Sequence, residues 1–290
     1  MLARRILVLL VLVACGDAPR PVATPRASSC AACPEWNAPQ PAFRVYGNTY
    51  YVGPHGLGAL LVTSPQGHVL VDGALPESVP GILASIRTLG FRIEDVKLIV
   101  SSHVHFDHAG GIAALQRASG AVVAASPSSA AVLRAGSVGR DDPQYGEVVP
   151  IAAVANVRTI ADGEILHVGP LALTAHFTPG HTAGGTTWTW RACEGPRCLD
   201  VVYADSQSPV SADAYLFARH PDVLAAFARS EAVLEALPCD LLVTTHPGAS
   251  ALWERVAAGT LVDPDACRRL AAAARAQLAE RVAKELAAGP

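Results

Sequence analysis

The sequence has no surplus of positive charge. Lys and Arg total 22 against 25 acidic residues, a formal net charge of -3. That balance leaves no electrostatic footprint for nucleic acid. No repeat is present beyond a loose similarity between two strand-rich halves. Abundant Ala and Gly form no collagen-like or low-complexity period. The N-terminal apolar stretch Ile6–Ala14 is too short to span a bilayer as a structural helix. Cys193, Cys198, Cys239 and Cys267 supply no zinc-ribbon spacing. Lysine is nearly missing, with only Lys97 and Lys284. No S-x-x-K stands beside a K-T-G stretch, so the acylating-serine machinery built on those lysines has no basis here.

Apolar residues make up 51% of the 290 positions, enough for a sizeable core in one large domain or two small ones. The chain begins MLARRILVLLVLVACGDAPR. Arg4 and Arg5 form a positive region before the apolar stretch, so residues 1–15 read as a secretion signal. LVAC before Gly16 resembles a bacterial lipoprotein box, with lipidation on Cys15. Residues 16–40, rich in Pro, Ala and Ser, read as a flexible leader. The folded domain is then 41–290.

Export changes how the cysteines read, because an oxidising compartment favours disulfides. Cys193 and Cys198 flank EGPR, and Cys239 and Cys267 bracket a later segment. Closing the longer loop would contribute about 3.6 kcal/mol from chain entropy, the shorter about 2. Cys30 and Cys33 form a CxxC, bridged to each other or to nothing structured. A redox role needs a strand-helix setting that is missing there. Cys15 remains as the odd cysteine, which supports a lipid attachment.

Short apolar runs follow the leader: FRVYGNTYYVG, GALLVTSPQGHVLVDG, VKLIVSSH and GAVVAAS. The second half repeats the style with LALTAHFTPGH, GTTWTWRA, LDVVYAD and CDLLVTTHPG. Residues 78–89, 110–118, 221–237 and 264–288 read as helices. Many strands with only occasional alternating helices suggest an α/β sandwich: two mixed sheets face to face, helices on the outer faces. Four of the apolar strands end in a turn carrying polar groups, so one sheet edge collects them.

The densest of these ends is HVHFDH, His103 to His108. His103 and His105 are two apart and would point the same way on an extended stretch. Asp107 and His108 follow as the chain turns toward a helix. Neutral imidazole and anionic carboxylate suit zinc. One ion cannot use all four with good geometry plus further histidines, whereas two adjacent ions can. Gly110 and Gly111 would let the backbone pack closely. His55, His68, His167, His176 and His220 read as ordinary surface or core side chains.

With these pieces the sequence resembles the metallo-β-lactamase superfamily, whose marker is HxHxDH, and within it subclass B3. NTYYVG, TPGHTAGGTTWTW, YADSQSPVSAD and CDLLVTTHPGA carry the finer likeness, from about Phe43 to the C-terminus. The resemblance implies an αββα fold and two Zn2+ per chain. His103, His105 and His181 would hold the first ion; Asp107, His108 and His246 the second. It implies hydrolysis of the β-lactam amide bond by a zinc-bound hydroxide, with Asp107 both ligating zinc and orienting that nucleophile. Ser206 and Ser208 would lie near the substrate carboxylate. Residues 136–150 would form a rim over the groove, with Gln144 and Tyr145 as contacts. A disulfide near the last helix would match Cys239–Cys267. The expected partners are β-lactam small molecules. The expected setting is the periplasm, with a possible outer-membrane anchor at Cys15, and the expected state a monomer.

Asp72, at a strand end, resembles an acid that holds a ligand histidine, or else caps the turn before Gly73. Asp205 is expected outside the ligand set, ordering its own loop while Ser206 faces the cleft. Other readings are a glyoxalase II-like thioesterase or lactonase of the same superfamily, and a non-enzymatic zinc-stabilised protein. The last would close its coordination, usually with cysteines, whereas these ligand sets leave positions open.

Overall fold

A computed structural model of the chain describes residues 30–288. The expected secretion signal, Cys15 and most of the leader lie outside the described residues.

Among the described residues, twelve strands form two sheets. The first runs in the order β1 (Phe43–Tyr46), β2 (Thr49–Tyr51), β3 (Leu60–Val62), β4 (His68–Val71), β5 (Val96–Val100), β6 (Val122–Ala125) and β7 (Val157–Thr159). Pairing is antiparallel from β1 to β4 and parallel from β4 to β7. The second sheet has the order β12 (Leu241–Thr244), β11 (Arg197–Ala204), β10 (Thr186–Glu194), β9 (Leu171–Phe177) and β8 (Ile165–Val168). Only its β11–β12 pair is parallel.

The period-two alternation of strand side chains sorts the apolar residues into layers. Leu60, Val62, Val69, Val71 and Val100 share a core with Trp188, Val201, Tyr203 and Val243 of the facing sheet. The intervening Leu61, Leu70 and Ile99 instead pack with Ile82, Ile86 and Leu115, from helices Val79–Thr88 and Ile112–Ser119. Behind the second sheet, Val202, Ala204 and Leu242 meet Leu234, Ala266 and Ala271, from helices Pro221–Ala236 and Ala266–Ala287. Buried on both faces, β3, β4 and β12 read as continuous apolar runs. The result is the expected helix-sheet-sheet-helix sandwich. Two buried indoles stitch the sheets through their N–H groups: Trp188 Nε1 donates to Ser101 O at 3.0 Å, and Trp190 Nε1 to Thr49 Oγ1 at 2.9 Å.

All three candidate cystine pairs stand at disulfide distance: Cys30–Cys33, Cys193–Cys198 across the β10–β11 hairpin, and Cys239–Cys267, between the entry to β12 and the last helix. The two cysteines of the CxxC, left open by the sequence, lie at bonding distance from each other. Residues 30–40 are packed against the domain: Cys33 is buried in the core and Asn37 Oδ1 accepts from Ser78 Oγ at 2.6 Å. Pro, Ala and Ser there signal irregular backbone, and irregular backbone can still be tied down.

Candidate metal centre

The ligand run leaves β5 and enters a one-turn helix, Phe106–Ala109. Asp72, at the end of neighbouring β4, grips the start of this run. Its Oδ1 accepts from Ser102 N at 2.7 Å, its Oδ2 from Ser102 Oγ at 2.6 Å, and Tyr203 OH also donates to Oδ2 at 2.8 Å. A Cβ on Gly111 would stand 2.2 Å from Gly73 O, so only glycine lets the end of the run lie against β4.

Two groups of ligand atoms converge. One each from His103, His105 and His181 lie within 4.8 Å of one another, and the same holds for His103, Asp107 and His108. His246 completes the second set. Its Nε2 is 3.1 Å from His108 Nε2 and 3.3 Å from Asp107 Oδ2. His181 follows β9 and His246 follows β12, so three strand ends meet. Five of the six side chains are buried, and His246 is half-buried. His55, His68, His167, His176 and His220 lie outside both groups, as expected.

The backs of three imidazoles are each held by a protein oxygen. His103 Nδ1 donates to Asp205 Oδ1 at 2.7 Å. His105 Nε2 donates to Asp142 Oδ2 at 3.0 Å, and His181 Nδ1 to Ser208 O at 2.8 Å. A neutral imidazole that donates from one nitrogen offers a lone pair at the other. Each pairing thus fixes the tautomer and presents the opposite nitrogen to the centre. His103 Nε2, the presented atom, is buried and has no protein partner. Three lone pairs beside a carboxylate and two more imidazoles form a donor set that fits zinc.

The electrostatics agree. Burial first, then the neighbouring imidazoles, push His103 well below its ordinary pKa. Burial and the His105 ring push His181 down to about 3. Burial alone would raise the Asp107 carboxyl, but His108 and His246 outweigh it and hold the group well below the carboxylate range. His103 and His181 are therefore neutral donors beside an ionised Asp107 near neutral pH, while Asp107 and Asp72 raise His108 against its burial.

Similar arrangements are known. Residues 54–189 match the metallo-β-lactamase superfamily model. The Rm3 metallo-β-lactamase is 55% identical over 89% of this chain and 99% of its own, with a TM-score of 0.87. MEM-A1, a subclass B3 metallo-β-lactamase isolated from a soil metagenome library, is 50% identical over 87% and 99%, with a TM-score of 0.85. SMB-1, solved with 2-mercaptoethanesulfonate, is 47% identical over 86% and 99%, with a TM-score of 0.84. The chain belongs to the metallo-β-lactamase superfamily. Its near relatives place it in subclass B3.

Seen as a B3 metallo-β-lactamase, the chain brings all six expected ligands together. The expected substrate residues are placed less simply. Ser206 Oγ pairs with Thr245 Oγ1 at 2.8 Å. Ser208 turns its carbonyl to His181, with its Oγ 3.4 Å from the same nitrogen. Gln144 Nε2 lies 3.4 Å from His105 Nδ1, and Tyr145 is exposed on the rim beneath Arg140. Asp72 holds Ser102 rather than a ligand ring. The carboxylate on His103 comes from Asp205, which reaches across the site as well as to the Ser206 backbone of its own loop.

Three residues escaped the sequence reading. Asp142 stood unremarked in the rim stretch. Trp36 stood in the leader, yet its ring centroid is 5.2 Å from that of His246. Asp205 was expected nearby but not on His103. The signal for Trp36 was a large aromatic beside a CxxC in an otherwise small-residue segment.

Proposed function

We propose that this protein is a zinc-dependent β-lactamase, opening the β-lactam amide bond by hydrolysis. The observation that carries the reading is the pair of three-residue ligand sets at one strand-end edge, in a chain of subclass B3. His103, His105 and His181 would hold one Zn2+, and Asp107, His108 and His246 a second. The bound ions supply Lewis acidity and acidify water enough to make it nucleophilic near neutral pH.

The chain's own residues do the rest. Asp142, Asp205 and the Ser208 carbonyl keep three imidazoles in one tautomer, so no ligand must reorient during turnover. Asp107, held ionised, would help hold the second ion and orient the attacking water. Ser206 and Ser208 lie on the loop after β11, where a substrate carboxylate would be received; Gln144 and Tyr145 approach from the rim. Ser206 would exchange its Thr245 partner for that carboxylate. Residues 1–15 would direct export to the periplasm, with Cys15 the site of a possible lipid anchor, and the enzyme would act as a monomer.

The test is turnover of a carbapenem, a penicillin and a cephalosporin by the purified protein, with metal analysis. Two zinc per chain and chelator-sensitive ring opening are expected. Efficient cleavage of lactoylglutathione or a lactone, with no β-lactam opened, would replace this reading with another hydrolase of the superfamily. Fractionation of the unaltered protein and of Cys15→Ser tests the anchor; an unaltered protein wholly soluble in the periplasm would mean ordinary signal cleavage.

A further inference from the structure

The three imidazoles of the first ligand set are held from behind by three different parts of the chain. Asp205 sits at the end of β11, inside the sandwich, and Ser208 lies just beyond it. Asp142 belongs instead to the rim, in a stretch of turns that follows helix Pro127–Ala135.

Asp142 does two jobs with one carboxylate. It accepts from His105 Nε2 at 3.0 Å through Oδ2, and its Oδ1 accepts from the backbone N of Gln144 at 2.8 Å. The second bond closes the turn that carries Gln144 and Tyr145. Gln144 then returns its Nε2 to within 3.4 Å of His105 Nδ1, so the rim touches both nitrogens of this ligand. The side chain of Asp142 is buried, although the rim around it is largely exposed.

The rim is tied at its base, where Val138 packs on the core and Ile151 N donates to Gly136 O at 2.9 Å. Beneath it is a cavity of about 360 Å³, lined by Val104, Ser128, Val132, Val138, Asp142 and Thr182. Further ties run to the loop after β11, through Ala212 N to Pro143 O at 2.9 Å and Asp213 N to Glu147 Oε1 at 3.2 Å. A rim over a cavity, with a buried carboxylate on a metal ligand, has its order linked to that ligand's order.

We propose that Asp142 is a positioning residue that couples the rim to the first metal site. This rests on the metal reading given above. Zinc on His105 fixes the ring, the ring fixes Asp142, and Asp142 fixes the turn of Gln144 and Tyr145. Linkage makes the effect reciprocal: a rim that is disordered must bind the first zinc less tightly. Metal loading and the shape of the substrate rim are one equilibrium in this enzyme.

The experiment is hydrogen exchange of the full chain with and without zinc, beside competitive zinc titration. In the unaltered protein zinc should slow exchange of rim amides 139–148. Asp142→Ala should abolish that zinc-dependent protection and weaken the first site by about 10–100-fold. Asp142→Asn keeps an acceptor for Gln144 N and should retain part of both effects, which covers the case in which the alanine variant fails to fold. Wild-type zinc affinity together with zinc-dependent rim protection in Asp142→Ala overturns the coupling. An unaltered protein that binds no zinc overturns the metal reading itself, and the coupling with it.

Discussion

Asp205 Oδ1 lies 2.7 Å from His103 Nδ1, and both side chains are fully buried. The two residues are 102 positions apart and meet only because β11 ends beside β5 across the sandwich. Burial first, then repulsion from Asp72, raises the Asp205 carboxyl well above the ordinary value. Its hold on His103 is therefore made at a cost in desolvation. Asp205→Ala should lower zinc affinity at the first site by about 10–100-fold, while Asp205→Asn, which keeps an acceptor, should lose less. Competitive zinc titration measures this directly. Unchanged affinity in Asp205→Ala would show that His103 needs no partner.

Gly185 makes room for that carboxylate. A Cβ added at this glycine would stand 2.3 Å from Asp205 Oδ2 and 2.5 Å from Thr178 O. Backbone on one side and a buried carboxylate on the other leave little to yield. Gly185→Ala should cost about 1–3 kcal/mol of stability, as overpacking does. It should also reduce zinc content by displacing Asp205 from His103. Urea denaturation and metal analysis on the same preparation separate the two effects, and a variant with native stability and full zinc would show that the loop shifts freely.

The parts of this site that were legible in the sequence are those whose logic is local. HVHFDH presents four candidate ligands within one turn, and the strand VKLIV before it is plain from its apolar run. His181 and His246 were legible because each ends an apolar strand in a glycine-bearing turn. The side chains behind the ligands were not. Asp142 and His105 are 37 positions apart, and the sequence carries no mark of their pairing. Trp36 was hidden by its surroundings, because a Pro/Ala/Ser segment looks like a tether whether or not its one aromatic docks. Strands β7 and β8 were missed for a different reason. Both are short and lie at sheet edges; β7 has no fully buried side chain, and β8 alternates over only four residues, too few to stand out.

In the metal-free protein, His181 and His103 should each take stability away as pH falls below neutrality. His181 is pushed down to about 3 by burial and then by His105, and His103 is pushed down for the same leading reason. A depressed pKa means that the unfolded chain takes up the proton first. Stability is therefore intact above the unfolded value near 6.5 and declines as pH drops toward 3. Each such imidazole contributes a loss of up to about 2 kcal/mol at pH 5. His108 opposes this, since Asp107 and Asp72 overcome burial and raise it, and so do the Asp72 and Asp205 carboxyls, which burial raises. The His181 share is therefore read against His181→Gln, which takes up no proton. Urea midpoints of both chelated proteins at pH 7.5 and 5.0 check the sign; a loss on acidification no larger in the unaltered protein than in His181→Gln would falsify it.

Trp36 reaches the second ligand set by a route that can be cut in two places. The Cys30–Cys33 disulfide closes the turn before it, and Trp36 N donates to Ala32 O at 2.9 Å. Gly56 N then donates to Trp36 O at 3.0 Å, and a Cβ on Gly56 would stand 2.5 Å from Trp36 Cα. The indole is thus pressed onto the domain at the one position where the partner lacks a side chain. There it meets the His246 ring at a tilt of 55°. Aromatic pairs of this kind contribute about 0.5–1.5 kcal/mol beyond burial, and the contact restrains the one ligand that is half-buried rather than buried. Trp36→Ala should weaken zinc at the second site by about 2–10-fold, leaving the first site unaltered. Gly56→Ala should do the same without removing the ring, by pushing Trp36 away. Trp36→Phe should restore most of the affinity. Zinc titrations of the three variants decide the matter: second-site affinity equal to that of the unaltered protein in both Trp36→Ala and Gly56→Ala would mean that His246 is held without help from the N-terminal segment.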